Sequence, residues 1–393
     1  MGEGLCPSVG GQRGEGRVNG EGCVVKRTTS QGEDMINRDR VVKTFCDIVQ
    51  IDSPSGEEEA MAKDLVKRLR GFGLKVKRDA YGNIIADSKG TGEPLLLSVH
   101  MDTVEPGRGI KPRVDGDRIV SDGTTIIGGD AKAGLTAVLE ALQSITEDAI
   151  PHIPFQVAIT REEETALTGA RNLDFSMLRA KEAVVFDGEG PVNTITVASP
   201  TYIGFEVEIK GRAAHAGVEP EKGVSAIRVA AELITKLPQG RLDADTTFNI
   251  GLIEGGYVRN TVPEDAKIVG EFRSQNLETL DSVRIQLKAT LAEVQKRFPD
   301  AKLSEHMHTH FEHYDVPKDD PALKRITAAL ASLGMKPHMR PSGGGTDGNI
   351  FRTRGIKSVV VGMADTGMHT VRESVSIPGL VDAAHFCEVL LRK

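Results

Sequence analysis

Hydrophobic positions along the chain follow two alternating rhythms. From Asn37 to Gln50 the apolar residues Val41, Val42, Phe45, Ile48 and Val49 recur at helical spacing. DSPSGEEE (Asp52 to Glu59) then caps a second helix, with Ala60, Met61, Leu65 and Leu69 on one face. Short β-rich runs follow at Leu74 to Asp79, Ile84 to Asp87 and Leu95 to Val99. Lys132 to Ile145 reads as a helix with Leu135, Val138, Leu139 and Leu142 as its inward stripe, and Phe155 to Ile159 and Ala183 to Phe186 read as further strands. Strand and helix alternate. The expected architecture is α/β, a mixed, mostly parallel sheet with helices on both faces.

The pattern changes near Ala198. Phe205, Val207 and Ile209 alternate with charged residues, as in a half-exposed antiparallel strand. A helix follows (Val224, Ile227, Ala230, Leu233, Ile234), then strands at Thr246 to Ile253 and Ala266 to Phe272. A helix through Leu280, Val283, Leu287 and Leu291 and a strand from Lys302 to His313 complete the order β-α-β-β-α-β, which is ferredoxin-like. The first rhythm resumes near Asp315, with a helix from Ala322 to Leu333 and a strand from Ser358 to Gly362. Residues 35–197 and 315–393 are therefore expected to form one domain, and 198–314 an inserted α+β lid. Nine of the first 34 residues are Gly and show no apolar periodicity, so 1–34 is expected to be a disordered tail or a non-native extension.

Composition narrows the function. There are 49 basic and 56 acidic residues, a net charge of −7, so no basic surplus points to nucleic acid. No apolar stretch approaches the roughly 20 residues of a membrane span. Cys6, Cys23, Cys46 and Cys387 form no CxxC pair and read as free thiols of a reducing, cytoplasmic setting.

Against this background five metal-ligand types stand out. His100 ends LLLSVH, Asp130 lies in GGDAKAG, Glu164 closes TREEE, Asp187 ends AVVFD, and His369 lies in GMHTVRE. A lone Asp before a helix is usually a cap, and a lone His after a strand is usually no ligand. Here His100, Asp187 and Glu164 each follow a β-rich apolar run, and ligands collect at the carboxyl ends of strands in open α/β sheets. Two imidazoles and three carboxylates are the set that two divalent cations need, with one carboxylate bridging. His306, His308 and His310 recur at period two and share a strand face. No carboxylate or cysteine motif accompanies them, so they read as the polar face of a half-exposed strand.

In this order the motifs resemble the dinuclear zinc exopeptidases that include aminoacylase, glutamate carboxypeptidase and peptidase T, most closely the peptidase T-like branch. The resemblance spans about Met35 to Lys393. It implies that His100 and Asp187 hold one metal, that Glu164 and His369 hold the other, and that Asp130 bridges them. Zinc is the first expectation, with manganese or cobalt as alternatives. Asp102, two residues beyond His100, is expected to accept the proton of the ring nitrogen that faces away from the metal. Glu163 is implied as the general base acting on a metal-bound water. The run Glu162-Glu163-Glu164 leaves the register open to Glu162. The family commonly has Gly where this chain has Ala166.

In the lid, GRAAHAGVEPEKG (Gly211 to Gly223) implies that His215 stabilises the oxyanion, in dimeric relatives across the subunit interface. Asn260 and Arg273 match positions that grip the substrate's carboxylate end, although Arg273 can equally be a strand-surface ion pair. Tripeptidase T proper carries Arg just before Gly-Gly-Thr-Asp-Gly, whereas this chain has Gly343 there; Gly344 and Gly345 let backbone N–H groups approach a substrate. The implied function is an aminopeptidase or tripeptidase acting on short peptides, with a homodimer through the lid. An N-acyl amino acid deacylase or a carboxypeptidase of the same family would use the same ligands. A non-catalytic metal-binding module would be expected to lack the base or a ligand, and a two-metal phosphate-ester hydrolase would be expected to carry a basic cluster beside the ligands.

Overall fold

The computed structural model describes residues 36–393. The expected N-terminal tail lies outside the described residues. The larger body is built on a nine-stranded sheet. At its centre four strands run parallel in the spatial order Phe155–Thr160, Leu95–His100, Glu182–Gly188 and Lys357–Gly362. Their sequences are near-continuous apolar runs because both faces are covered. Side chains alternate across the strand. Leu95, Leu97 and Val99 face a core shared with the helices Arg38–Val49, Gly129–Glu147 and Ile377–Leu391. Leu96 faces the other side, against Phe351 of the helix Asp347–Thr353. Antiparallel strands flank the centre, Ile84–Asp87 and Lys75–Arg78 on one side and Thr194–Ser199 on the other, so the sheet is mixed as expected.

The chain leaves this sheet after Thr194–Ser199 and returns at Tyr314–Asp315, where Tyr314 pairs with Ser199. Between these points lies a second sheet with its own apolar core. Thr246–Gly255, Asp265–Ser274, Thr201–Lys210 and Lys302–Phe311 lie side by side, all antiparallel. Residues of the helices Ala226–Lys236 and Leu277–Arg297 complete the core around Phe205, Phe248 and Phe272. This is the ferredoxin-like arrangement expected of the lid.

Two features were not anticipated. The helix Ile377–Leu391 is apolar on nearly every side because it is buried between neighbours, so it carries no amphipathic stripe to read. A small sheet pairs Arg113–Asp115, Arg118–Val120, Ser374–Ser376 and Asp365–Thr366 in that order. Asp365–Thr366 and Ser374–Ser376 form a hairpin, and His369 sits in its loop.

Candidate metal centre

The carboxyl ends of the parallel strands carry the site. His100 is the last residue of its strand and is buried, while Asp187 is the penultimate residue of the neighbouring strand. Asp130 opens the helix Gly129–Glu147. That helix approaches the Asp187 strand closely: a Cβ on Gly134 would fall 2.4 Å from the carbonyl oxygen of Phe186. Only glycine permits this contact, which brings Asp130 within reach of both histidines.

Asp130 divides its two oxygens. Oδ1 lies 3.0 Å from Nε2 of His100, and Oδ2 lies 3.2 Å from Nε2 of His369. Asp187 stands on the first side, 3.4 Å from His100 Nε2. Glu164 stands on the second, 3.1 Å from His369 Nε2. Among the described residues, donor atoms of His100, Asp130 and Glu164 lie within 4.8 Å of one another, as do those of His100, Glu163 and Asp187. Glu163 thus lies on the His100–Asp187 side. His306, His308 and His310 belong to no such group; His306 and His308 are exposed, and His310 stacks on Tyr202 at 4.3 Å.

The triple-glutamate segment is sorted by its partners. Glu162 accepts from Tyr81 Oη at 2.8 Å and pairs with Arg161 at 3.3 Å, away from the cluster. The backbone of this turn is left-handed at Glu162 (φ 51°), Ala166 (φ 62°) and Leu167 (φ 60°), and again at His369 (φ 61°). Strain of this kind gathers at functional sites.

Asp102 is fully buried and holds the turn. Its Oδ1 accepts from the N–H of Glu163 at 3.0 Å, and its Oδ2 accepts from Glu164 N–H at 3.2 Å and from Ser55 Oγ at 2.7 Å. His100 Nδ1 lies 3.4 Å from Oδ1 but 3.0 Å from the backbone carbonyl of Asp102. The ring is therefore oriented chiefly by the main chain, and the carboxylate serves the Glu163–Glu164 turn.

Crowded acids shift one another. Burial, with Asp130 beside it, pushes Glu164 up to about 7 against the pull of His369. Burial and Asp130 raise Asp187 to about 6, against the pull of His100. Burial and the charges of Asp187, Glu164 and Asp347 hold Glu163 well above the carboxylate range. Hydrogen bonds to Asp130 and Glu164 raise His369 to about 10. For His100, burial opposes the charge, but Asp187, Asp102 and Asp130 outweigh it and raise the imidazole. Carboxylates that destabilise one another beside two imidazoles are a donor set suited to divalent cations, whose charge relieves that repulsion.

Three supporting residues carry no signal that the sequence reading used. Glu373 accepts from the backbone N–H groups of Ile127 (2.9 Å), Gly128 (2.8 Å) and Asp130 (3.1 Å), fixing the loop that presents Asp130. Asp347, buried in the Gly-Thr-Asp-Gly segment, accepts from Thr160 Oγ1 and is raised to about 7 by burial and then by Asp187. The buried Lys132 donates to the carbonyl of Ile51 at 3.1 Å and is lowered to about 8 by burial.

A cavity of about 440 Å³ opens on the cluster, lined by Asp130, Glu163, Glu164, Asp187 and His369 together with the run Ser342 to Thr346, which includes Gly344 and Gly345. His215 and Asn260 lie elsewhere. The two-residue strand Ala214–His215 pairs with Thr261–Val262, and Ala216 N–H donates to the Asn260 carbonyl at 3.0 Å. Both side chains are exposed on the lid and do not line the cavity. Arg273 is paired with Glu271 and is also absent from the cavity lining.

Residues 197–299 match the M20 peptidase dimerisation domain. Over 371 residues the chain is 36% identical to the uncharacterised protein YqjE of Bacillus subtilis, covering 91% of this chain and 99% of that relative. Two solved structures superpose over 91% of the chain and 98% of their own length. One is a tripeptidase from Staphylococcus aureus, with TM-score 0.83 and 34% identity. The other is the aminopeptidase PepT from Bacillus cereus, with TM-score 0.79 and 35% identity.

Proposed function

The chain belongs to the M20 family of metallopeptidases, and from that premise we propose that it is an aminopeptidase or tripeptidase acting on short peptides. The observation that carries this reading is the division of Asp130, one oxygen toward His100 and one toward His369, with Asp187 and Glu164 on the matching sides. In this reading His100 and Asp187 hold one zinc ion, Glu164 and His369 the other, and Asp130 both. When bound, two such cations supply Lewis acidity toward a carbonyl and toward water.

The remaining chemistry belongs to the chain. Glu163 is held above the usual carboxylate range by burial and by its acidic neighbours, the direction that favours a general acid–base role. It takes the proton from the attacking water and delivers it to the leaving amine nitrogen. Asp102 fixes the turn that carries Glu163 through two backbone N–H groups. Gly344, which has open space beside its Cα, leaves room for a peptide backbone to approach, whereas the space beside Gly345 is filled by the ring of Phe311.

His215 and Asn260 share one exposed lid hairpin, so contact with a substrate requires lid movement or a second copy. The dimerisation-domain match supports a homodimer in which they act across the interface. The free thiols Cys46 and Cys387 support a cytoplasmic setting.

The test is purified protein reconstituted with zinc or manganese, offered di- and tripeptides and N-acyl amino acids, with products read by mass spectrometry. Release of the N-terminal residue is expected. Turnover of N-acyl amino acids alone moves the assignment to a deacylase, and no turnover of any substrate at full metal occupancy refutes a catalytic role.

A further inference from the structure

One wall of the cavity on the metal cluster is not held by the larger body alone. That wall is the run Ser342 to Thr346. The side-chain amide of Gln275, a lid residue, donates to the Ser342 carbonyl at 3.0 Å. Ser199, the residue from which the chain enters the lid, donates through Oγ to the Gly344 carbonyl at 2.9 Å. Where the chain returns, Asn349 Nδ2 donates to the Glu312 carbonyl at 2.9 Å and to Ser199 Oγ at 2.9 Å. Asn349 Oδ1 in turn accepts from Thr346 N–H at 3.0 Å. The wall therefore rests on both crossings between the larger body and the lid.

Phe311 completes the contact. It is the last residue of the lid strand Lys302–Phe311, and it is buried. Its ring shares a small apolar cluster with Leu167 and Ala170, just beyond the Glu163–Glu164 turn, and with Ile350 of the helix Asp347–Thr353. A Cβ on Gly345 would lie 2.6 Å from both Cε atoms of that ring and closer still to Cζ. Gly345 is not left-handed, so the ring, and not the backbone conformation, is what demands glycine there. Close-packed contacts of this kind transmit small shifts. Neither Phe311 nor Gln275 lines the cavity itself.

We infer that Phe311 and Gln275 are positioning residues: through them the lid sets the Ser342–Thr346 wall, and with it the affinity for a peptide, while neither touches metal or substrate. This deepens the peptidase reading and rests on it. The metal ligands and Asp102 hang on other supports, so a displaced wall weakens binding more than it slows the chemical step.

The test uses the zinc-loaded protein and a single tripeptide, with metal content measured on each preparation. Gln275→Leu removes the donor at similar volume. It should raise KM about two- to ten-fold, the scale of a single hydrogen bond, with kcat and metal content close to the parent values. Gly345→Ala should raise KM further. Phe311→Leu removes the three ring atoms that would face the new methyl group, so the double variant should recover KM relative to Gly345→Ala alone. Hydrogen exchange of the segment 342–349, followed by mass spectrometry, should quicken in Gln275→Leu and Gly345→Ala and slow again in the double variant. The strands that carry His100 and Asp187 should keep their protection throughout. Unchanged KM in both single variants, a fall in kcat alone, or a double variant no better than Gly345→Ala overturns the proposal. If the unsubstituted protein cleaves no peptide, the peptidase reading fails, and the exchange pattern by itself upholds or overturns the hold of the lid on the wall.

Discussion

Replacing Asp102 by Asn probes the part of the centre that is assigned no metal. The carboxylate is fully buried and accepts from three donors, Ser55 Oγ, Glu163 N–H and Glu164 N–H, at 2.7, 3.0 and 3.2 Å. Asparagine has nearly the same shape but only one acceptor oxygen. Its NH2 must face either the Glu163 side or the Ser55–Glu164 side, so at least one buried N–H loses its acceptor and meets a donor. A buried donor left unsatisfied costs about 1–3 kcal/mol. At about 1.4 kcal/mol per decade this is roughly one to two decades in rate if the turn holds the base less well in the transition state.

His100 keeps its closer partner in this variant, because the 3.0 Å contact runs to the main-chain carbonyl of Asp102. The expected result is therefore a kcat lowered about ten- to one-hundred-fold with metal occupancy nearly intact. Steady-state kinetics on a short peptide and metal analysis by mass spectrometry on the same preparation read the two quantities. Occupancy that collapses while kcat per occupied centre stays at the parent value would refute this reasoning, since the carboxylate would then act through His100.

Four further outcomes are expected. Glu163→Gln should nearly abolish turnover while leaving metal content unchanged, because an amide cannot carry the proton; near-normal kcat would shift the base to another residue. Zinc should raise the melting temperature more at about pH 8 than at about pH 5.5. Glu164 and Asp187, raised to about 7 and about 6, hold protons more tightly folded than unfolded, so the metal-free protein loses stability as pH rises from about 4 to 7. His369, raised to about 10, stabilises fully below its unfolded value near 6.5, and that stability is lost as pH rises toward 10. Both trends weaken the metal-free protein at high pH, and these protons must leave before a cation binds; an equal or reversed zinc shift contradicts the assignment. Ala166→Gly should leave stability unchanged or raise it by up to about 1 kcal/mol, since a left-handed non-glycine costs about 1–2 kcal/mol and glycine returns about 0.5–1 in chain entropy; a loss above about 1 kcal/mol in denaturant unfolding counts against the left-handed backbone. His215→Ala should lower kcat more than it raises KM, and a pure KM effect would make it a binding residue only.

The segments that were legible share a physical cause. A strand buried on both faces must be apolar throughout, so the polar residue that ends LLLSVH or AVVFD is conspicuous, and the parallel sheet brings those ends to one edge. The lid was legible for a related reason, because a sheet covered on one face alternates, as buried Phe205, Val207 and Ile209 do with the charged residues Glu206, Glu208 and Lys210. Where packing removes the contrast, the signal goes with it. The helix Ile377–Leu391 is apolar along most of its length, and the strands of the small sheet are two or three residues long.

The supporting residues were illegible for a different reason. Glu373 serves Asp130 across 243 positions of chain, and Asp347 meets Thr160 across 187. Nothing near either residue in sequence announces the partner.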